Sequence, residues 1–148
     1  MNRTDTIENL FVILKELENA DHWLARSWDK CRSISHEQGL SNQQYDDLEA
    51  FTSRFARASD LLLQKVFRAI DTAEMEKSGT LLDAANRAEK RGIIESVEDV
   101  RRIRELRNNI SHEYLTENLI LLFEDVNTAT PVLRTMMANA RNYCERFR

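Results

Sequence analysis

The chain has 148 residues, with 25 acidic side chains against 21 Lys plus Arg and a formal net charge of -4. That length suits one domain, residues 1–148, with a core that needs no disulfide or metal staple. The acidic balance argues against a protein that grips nucleic acid over its whole surface, so any contact with RNA has to be local, and a DNA partner is not expected. Hydrophobic residues make up 42% and charged residues 31%, the mix of a soluble globular protein. No apolar run is long enough for a bilayer, and the polar start "MNRTDTIENLF" does not read as a signal peptide, so a cytoplasmic location without membrane contact is expected. Cys31 and Cys144 form no CxxC pair and are expected to be buried free thiols.

Breakers are scarce: three glycines, Gly39, Gly79 and Gly92, and one proline, Pro131. Long helices are therefore expected, and no apolar/polar alternation or Asn-Gly turn signals a strand. The first segment carries Ile7, Leu10, Leu14, Leu17, Leu24 and Trp28, a stripe at three- and four-residue spacing with Asp21 at its edge. Ser41 with Gln44 has the spacing of a capping box that opens a second helix. That helix shows Leu48, Phe51, Phe55, Ala58, Leu62, Val66 and Ile70, widened by Leu61, Leu63 and Phe67. So wide an apolar face suggests either a central helix or one that also meets a second subunit.

Gly79 is expected to end that helix. Thr80 and Asp83 can cap a short one, about Leu81 to Arg91, closed by Gly92. Ser96 and Asp99 have the spacing of the next cap. The helix after them buries Val97, Val100, Ile103, Leu106 and Ile110, and its polar side holds Arg101, Arg104, Arg107, Asn108 and His112. A last segment from Thr116 onward is apolar at Leu119, Ile120, Leu122, Phe123 and Val126, and continues through Val132, Leu133, Met136, Met137, Ala140, Tyr143 and Phe147. Pro131 is expected to kink or restart it. The fold class predicted is all-α: an antiparallel four-helix up-and-down bundle with one additional short helix.

The tetrapeptide Ile-Ser-His-Glu occurs twice, at Ile34 to Glu37 and at Ile110 to Glu113. Only the second copy has an arginine five residues before its histidine and a tyrosine two residues after it, in "RNNISHEY". Metal-free cleavage of RNA needs a base, an acid and a cation for the phosphate. Histidine can act as base or acid near neutral pH, and arginine offers a permanent charge and a fork of donors. Arg104, Asn108 and His112 are spaced by four and stack on one face of a helix. Arg107 and His112 are roughly 140° apart around a straight helix of 3.6 residues per turn. They can converge if the helix ends near Ser111 and lets His112 turn, or if a second copy of the chain brings its own pair across a two-fold axis. The alternative is a solvated or structurally paired face, the commoner meaning of surface charge. His36 lacks the arginine and suits a last-turn histidine that favours the helix dipole. His22 reads as a surface residue of the first helix. No HExxH, phosphate-binding glycine loop or Cys/His cluster is present, so neither metal nor cofactor is expected.

Arg107-Asn108, three intervening residues, His112, one residue and Tyr114 resembles the Arg-x4-His-x-Tyr signature of HEPN domains, and in particular the HepT-type toxins that pair with MNT-type minimal nucleotidyltransferases. The identities span about eight residues, and the helical layout extends the likeness over most of the chain. The resemblance implies a homodimer whose paired arginines and histidines form an RNA-cleaving cleft. It implies the toxin of a type II toxin–antitoxin pair, an endoribonuclease independent of metal. The cognate nucleotidyltransferase, as antitoxin, would silence it by adding AMP to Tyr114. Carried over, Arg107 and His112 are catalytic, Asn108 supports them and Tyr114 is the modified residue. Beside the resemblance, Arg101, Arg102, Arg104 and Arg107 form a local basic cluster, in which Arg101 and Arg104 are the candidates to bind RNA phosphate. A different class stays open: a non-catalytic partner that holds a nucleotide or substrate for the nucleotidyltransferase, or a helical dimer of purely structural role.

Overall fold

The computed structural model describes residues 2–35, 37–77, 79–112 and 116–148, with the backbone alone for 116–118. Among these residues the only regular structure is helical, without strands, and the helices form a bundle. Helix α1, Arg3–Cys31, starts where Asn2 accepts the Asp5 amide at 2.9 Å. It buries Leu10, Leu14, Leu17, Ala20 and Leu24, one stripe of the kind its spacing predicts, while Ile7 and Trp28 are half-buried. Asp21, at the edge of that stripe, receives Arg134 Nε at 2.8 Å and so ties α1 to the last helix. Trp28 does the same, donating from Nε1 to Asn127 Oδ1 at 2.9 Å.

Helix α2, Asn42–Asp60, opens with the capping box of Ser41 and Gln44. It runs without a break into a π-helical segment, Leu61–Val66, and then α3, Phe67–Ala73. In the π segment each amide reaches one residue further back, so the wider turn rotates the following side chains inward. Leu62, Leu63, Val66 and Phe67 are all buried in consequence, and Leu61 is half-buried. The apolar width at Leu63 and Phe67 is therefore used inside the chain, and Leu61 stays part-exposed. Gly79 does not end this helix. The turn comes earlier, at Met75, whose φ of 60° is rare for a residue with a side chain, with the Glu76 amide closing back on the Asp71 carbonyl at 2.8 Å.

Helix α4, Leu81–Lys90, has the reciprocal cap between Thr80 and Asp83 and ends at Gly92, where φ is 76° and the Ile93 amide bonds the Ala88 carbonyl at 2.9 Å. Helix α5, Val97–His112, begins with Ser96 Oγ accepting the Glu98 amide and the Glu89 carboxylate accepting the Val97 amide. It buries Val100, Ile103 and Leu106. Helix α6, Thr116–Cys144, passes through Pro131 without restarting, and a short 3-10 turn, Glu145–Phe147, follows. Around the proline, Ala129, Thr130, Leu133, Met136 and Met137 are buried, and that packing outweighs the loss of one helical amide. Helix α1 packs on α2, the π segment and α3; α5 packs on α2 and α6; α6 closes on α1 and α2. The result places the end of α2 beside the C-terminal half of α5.

Candidate functional site

Arg107 leaves α5 toward the last residue of α2. Its Nε donates to Asp60 Oδ1 at 2.8 Å and its Nη2 to Asp60 Oδ2 at 2.9 Å, while Nη1 donates to Ser111 Oγ at 2.6 Å. Two side chains from different elements thus hold one guanidinium. A guanidinium has five N–H donors, and two of those of Arg107 have no partner among the described residues. The hydrogen bonds that Arg107 donates to the Asp60 carboxylate raise its pKa above the ordinary arginine value, against partial burial that acts the other way. The pair is part-exposed, 30% for Arg107 and 46% for Asp60, so its charges still face solvent.

His112 is the last residue of α5 and is exposed. Asn108 and Arg104 are exposed one and two turns earlier, as the spacing of four predicts. Arg101 is exposed and pairs with Glu98 at 3.6 Å, a surface contact of little energetic weight. Because α5 stays helical through His112, a turn at Ser111 does not bring His112 round to Arg107. Tyr114, and His36 of the first tetrapeptide, lie outside the described residues. His22 is exposed, with its ring edge-on to Trp23 at 5.1 Å between centroids.

Arg107, Ile110, Ser111 and Asp60 line an open cleft of about 1250 Å³ between α1, α2, the π segment and α5. Sequence reasoning missed this cleft and missed Asp60. The carboxylate is 47 residues from its arginine and follows a helix-forming run, so no local spacing marks it. The cleft's other charged walls, Glu16, Arg54, Arg57 and Lys65, come from the outer faces of α1, α2 and the π segment.

Away from the cleft, Asp71 is buried and accepts Arg87 at 3.1 Å and Arg91, and Tyr143 donates to Glu74. These bonds join α3, α4 and α6. Cys31 and Cys144 are buried free thiols, and burial pushes them up to about 11 and about 12, outside the range of a reactive thiolate. Among the described residues, no three His, Cys, Asp or Glu side chains gather as a metal site, and no helix is long and apolar enough to cross a membrane. No family model, curated protein or solved structure matches the chain.

Proposed function

We propose that the chain is a HEPN-type endoribonuclease of the HepT toxin kind, acting as a homodimer in the cytoplasm and silenced by an MNT-type nucleotidyltransferase. The observation that carries this reading is Arg107. It is fixed on the wall of an open cleft by Asp60 and Ser111, keeps two donors for an anion, and precedes an exposed His112 at the helix end. The finer architecture belongs to the same reading: α1, the continuous α2–α3 rod, α5 and α6 are the four antiparallel helices, and α4 is the additional short one.

In the proposed reaction, one imidazole takes the proton of an RNA 2′-hydroxyl, whose oxygen attacks the adjacent phosphorus. The bond from phosphorus to the 5′-oxygen breaks, and a second imidazolium gives that oxygen its proton. The products are a 2′,3′-cyclic phosphate and a free 5′-hydroxyl. Arg107 stabilises the added charge on phosphorus, and Asn108 supports the phosphate or the imidazole. Arg101 and Arg104 extend the basic face along α5. Two histidines on opposite sides of the phosphorus require two copies of the chain, which fits a helix that keeps Arg107 and His112 apart. Addition of AMP to Tyr114 would set a phosphate beside Arg107 and His112 and block RNA entry.

A second reading has one observation in its favour. Asp60 already neutralises much of the Arg107 charge, which suits quiet retention of a nucleotide phosphate better than stabilisation of a fleeting one. Expression in a growing host separates the two. Growth arrest that disappears in Arg107→Ala and in His112→Ala, and that is relieved by co-expressing the nucleotidyltransferase with an AMP mass lost in Tyr114→Phe, supports the toxin. Arrest that survives both substitutions, or no arrest at all, favours the binding partner.

A further inference from the structure

The cleft beside Arg107 carries more than the arginine. Trp23 stands on its α1 wall and is 42% exposed, a large aromatic ring left in solvent. Arg54 lies 5.1 Å from the centre of that ring and is pinned there by donating from Nη1 to Ser27 Oγ at 2.7 Å; Ser27 itself is buried. Arg57, one turn along α2, is exposed on the same cleft. Among the described residues neither Arg54 nor Arg57 has a salt bridge. Lys65 reaches Glu16 only at 3.8 Å, between two half-exposed side chains. Asp60 is held by Arg107. Four cations, Arg54, Arg57, Lys65 and Arg107, thus share the cleft with two carboxylates, Glu16 and Asp60. Its sign is opposite to the net charge of the chain, -4.

We infer that this cleft binds an unpaired RNA strand, with a base stacked at the Trp23–Arg54 pair and successive phosphates on Arg57 and Lys65, leading to Arg107. The inference rests on the nuclease reading for its choice of RNA. Stacking on an exposed indole backed by arginine is tolerant of base identity and needs an unpaired base, which excludes a duplex at this point. From Arg54 to Lys65 the cations are strung over roughly 16 Å of helix at 1.5 Å per residue, more than one phosphate can span. A second copy of this chain fits less well, because Glu16, Asn19, Ser53, Gln64 and Lys65 would all be buried against it, and interface cores are depleted of charge.

The test is anisotropy of a fluorescent, unstructured RNA decamer in chelator, bound to the full-length His112→Ala protein so that cleavage does not intrude. Trp23→Ala added to that background is expected to weaken binding about tenfold, with Trp23→Phe restoring most of it. Arg57→Ala and Lys65→Ala are each expected to weaken it and to reduce the slope of log K against log salt by about 0.7. The duplex of the same sequence should bind more weakly than the single strand. Affinity and slope unchanged in the Trp23 and Arg57 variants overturn the inference. So does a Trp23→Ala protein that binds RNA normally but changes its mass in solution, which assigns the cleft to a second copy. Cleavage is scored separately on variants that keep His112. RNA cut at the full rate by Trp23→Ala and by Arg57→Ala ends this inference and leaves the nuclease standing. Binding that depends on Trp23, without cleavage by the wild type, keeps the inference and ends the nuclease.

Discussion

Arg107 on α5 and Asp60 at the end of α2 form a two-pronged ion pair, Nε to Oδ1 at 2.8 Å and Nη2 to Oδ2 at 2.9 Å. Asp60 is followed at once by the π-helical segment, so the departure from regular helix begins where α2 meets this arginine. The pair fixes the plane and direction of the guanidinium more than it stabilises the fold. With both groups part-exposed, Asp60→Asn should cost only about 0.2–1 kcal/mol. It should lower RNA cleavage about tenfold by letting Arg107 swing, on the argument that misplacement costs rate. The check is a double-mutant cycle. Asp60→Asn should have no further effect on kcat once Arg107 is alanine, and independent, additive losses would show that Asp60 does not act through Arg107.

His112→Ala should reduce cleavage by about 10² or more while leaving the melting temperature nearly unchanged, since the side chain is exposed at a helix end. Single-turnover cleavage and thermal melting on the same sample check both halves. A large fall in Tm with the activity loss would make His112 a structural residue.

Asp71 should be among the most sensitive positions for stability. It is 4% exposed and faces two arginines, of which Arg91 is 10% exposed. Asp71→Ala leaves Arg91 buried without its main partner, and a loss of about 3 kcal/mol is expected. Urea unfolding with the m-value held constant measures it. A loss below about 1 kcal/mol would mean that Glu74, 3.7 Å from Arg91, takes over.

The two thiols predict a change in stability with alkali. Burial raises Cys31 to about 11 and Cys144 to about 12, from an ordinary value of 9.0. The folded thiols therefore keep their protons where the unfolded ones lose them. The stability they contribute is whole below pH 9 and is lost as pH rises toward 11 and 12. A Cys31→Ala, Cys144→Ala protein should lose less stability between pH 9 and 10.5 than the wild type. In the native wild type, iodoacetamide at pH 8 should label neither thiol until the chain unfolds. Rapid native labelling would contradict the burial of both.

The parts legible in the sequence are those set within one turn of helix. The reciprocal caps at Ser41 with Gln44 and at Thr80 with Asp83, the stop at Gly92 and the stripes of α1 and α5 all follow from local spacing. The rest depends on tertiary packing. At Leu61–Val66 the apolar pattern looked too wide for one helix face, and a π turn accommodates it internally. A left-handed turn at Met75 ends the helix that Gly79 was expected to end, and packing carries α6 through Pro131. In the site, Arg104, Asn108 and His112 were readable as one face because they share a helix. Asp60 and Trp23 were not, because they reach the cleft from other elements, and no short-range rule connects them to Arg107.

The most direct measurement of the central claim is cleavage of an unstructured RNA by the purified, unmodified protein in excess chelator, with the product ends identified by mass. The account predicts 2′,3′-cyclic phosphate and 5′-hydroxyl ends from the wild type, and a loss of about 10² or more in both Arg107→Ala and His112→Ala. Intact RNA at every protein concentration, or cleavage that persists at full rate in both variants, would contradict it.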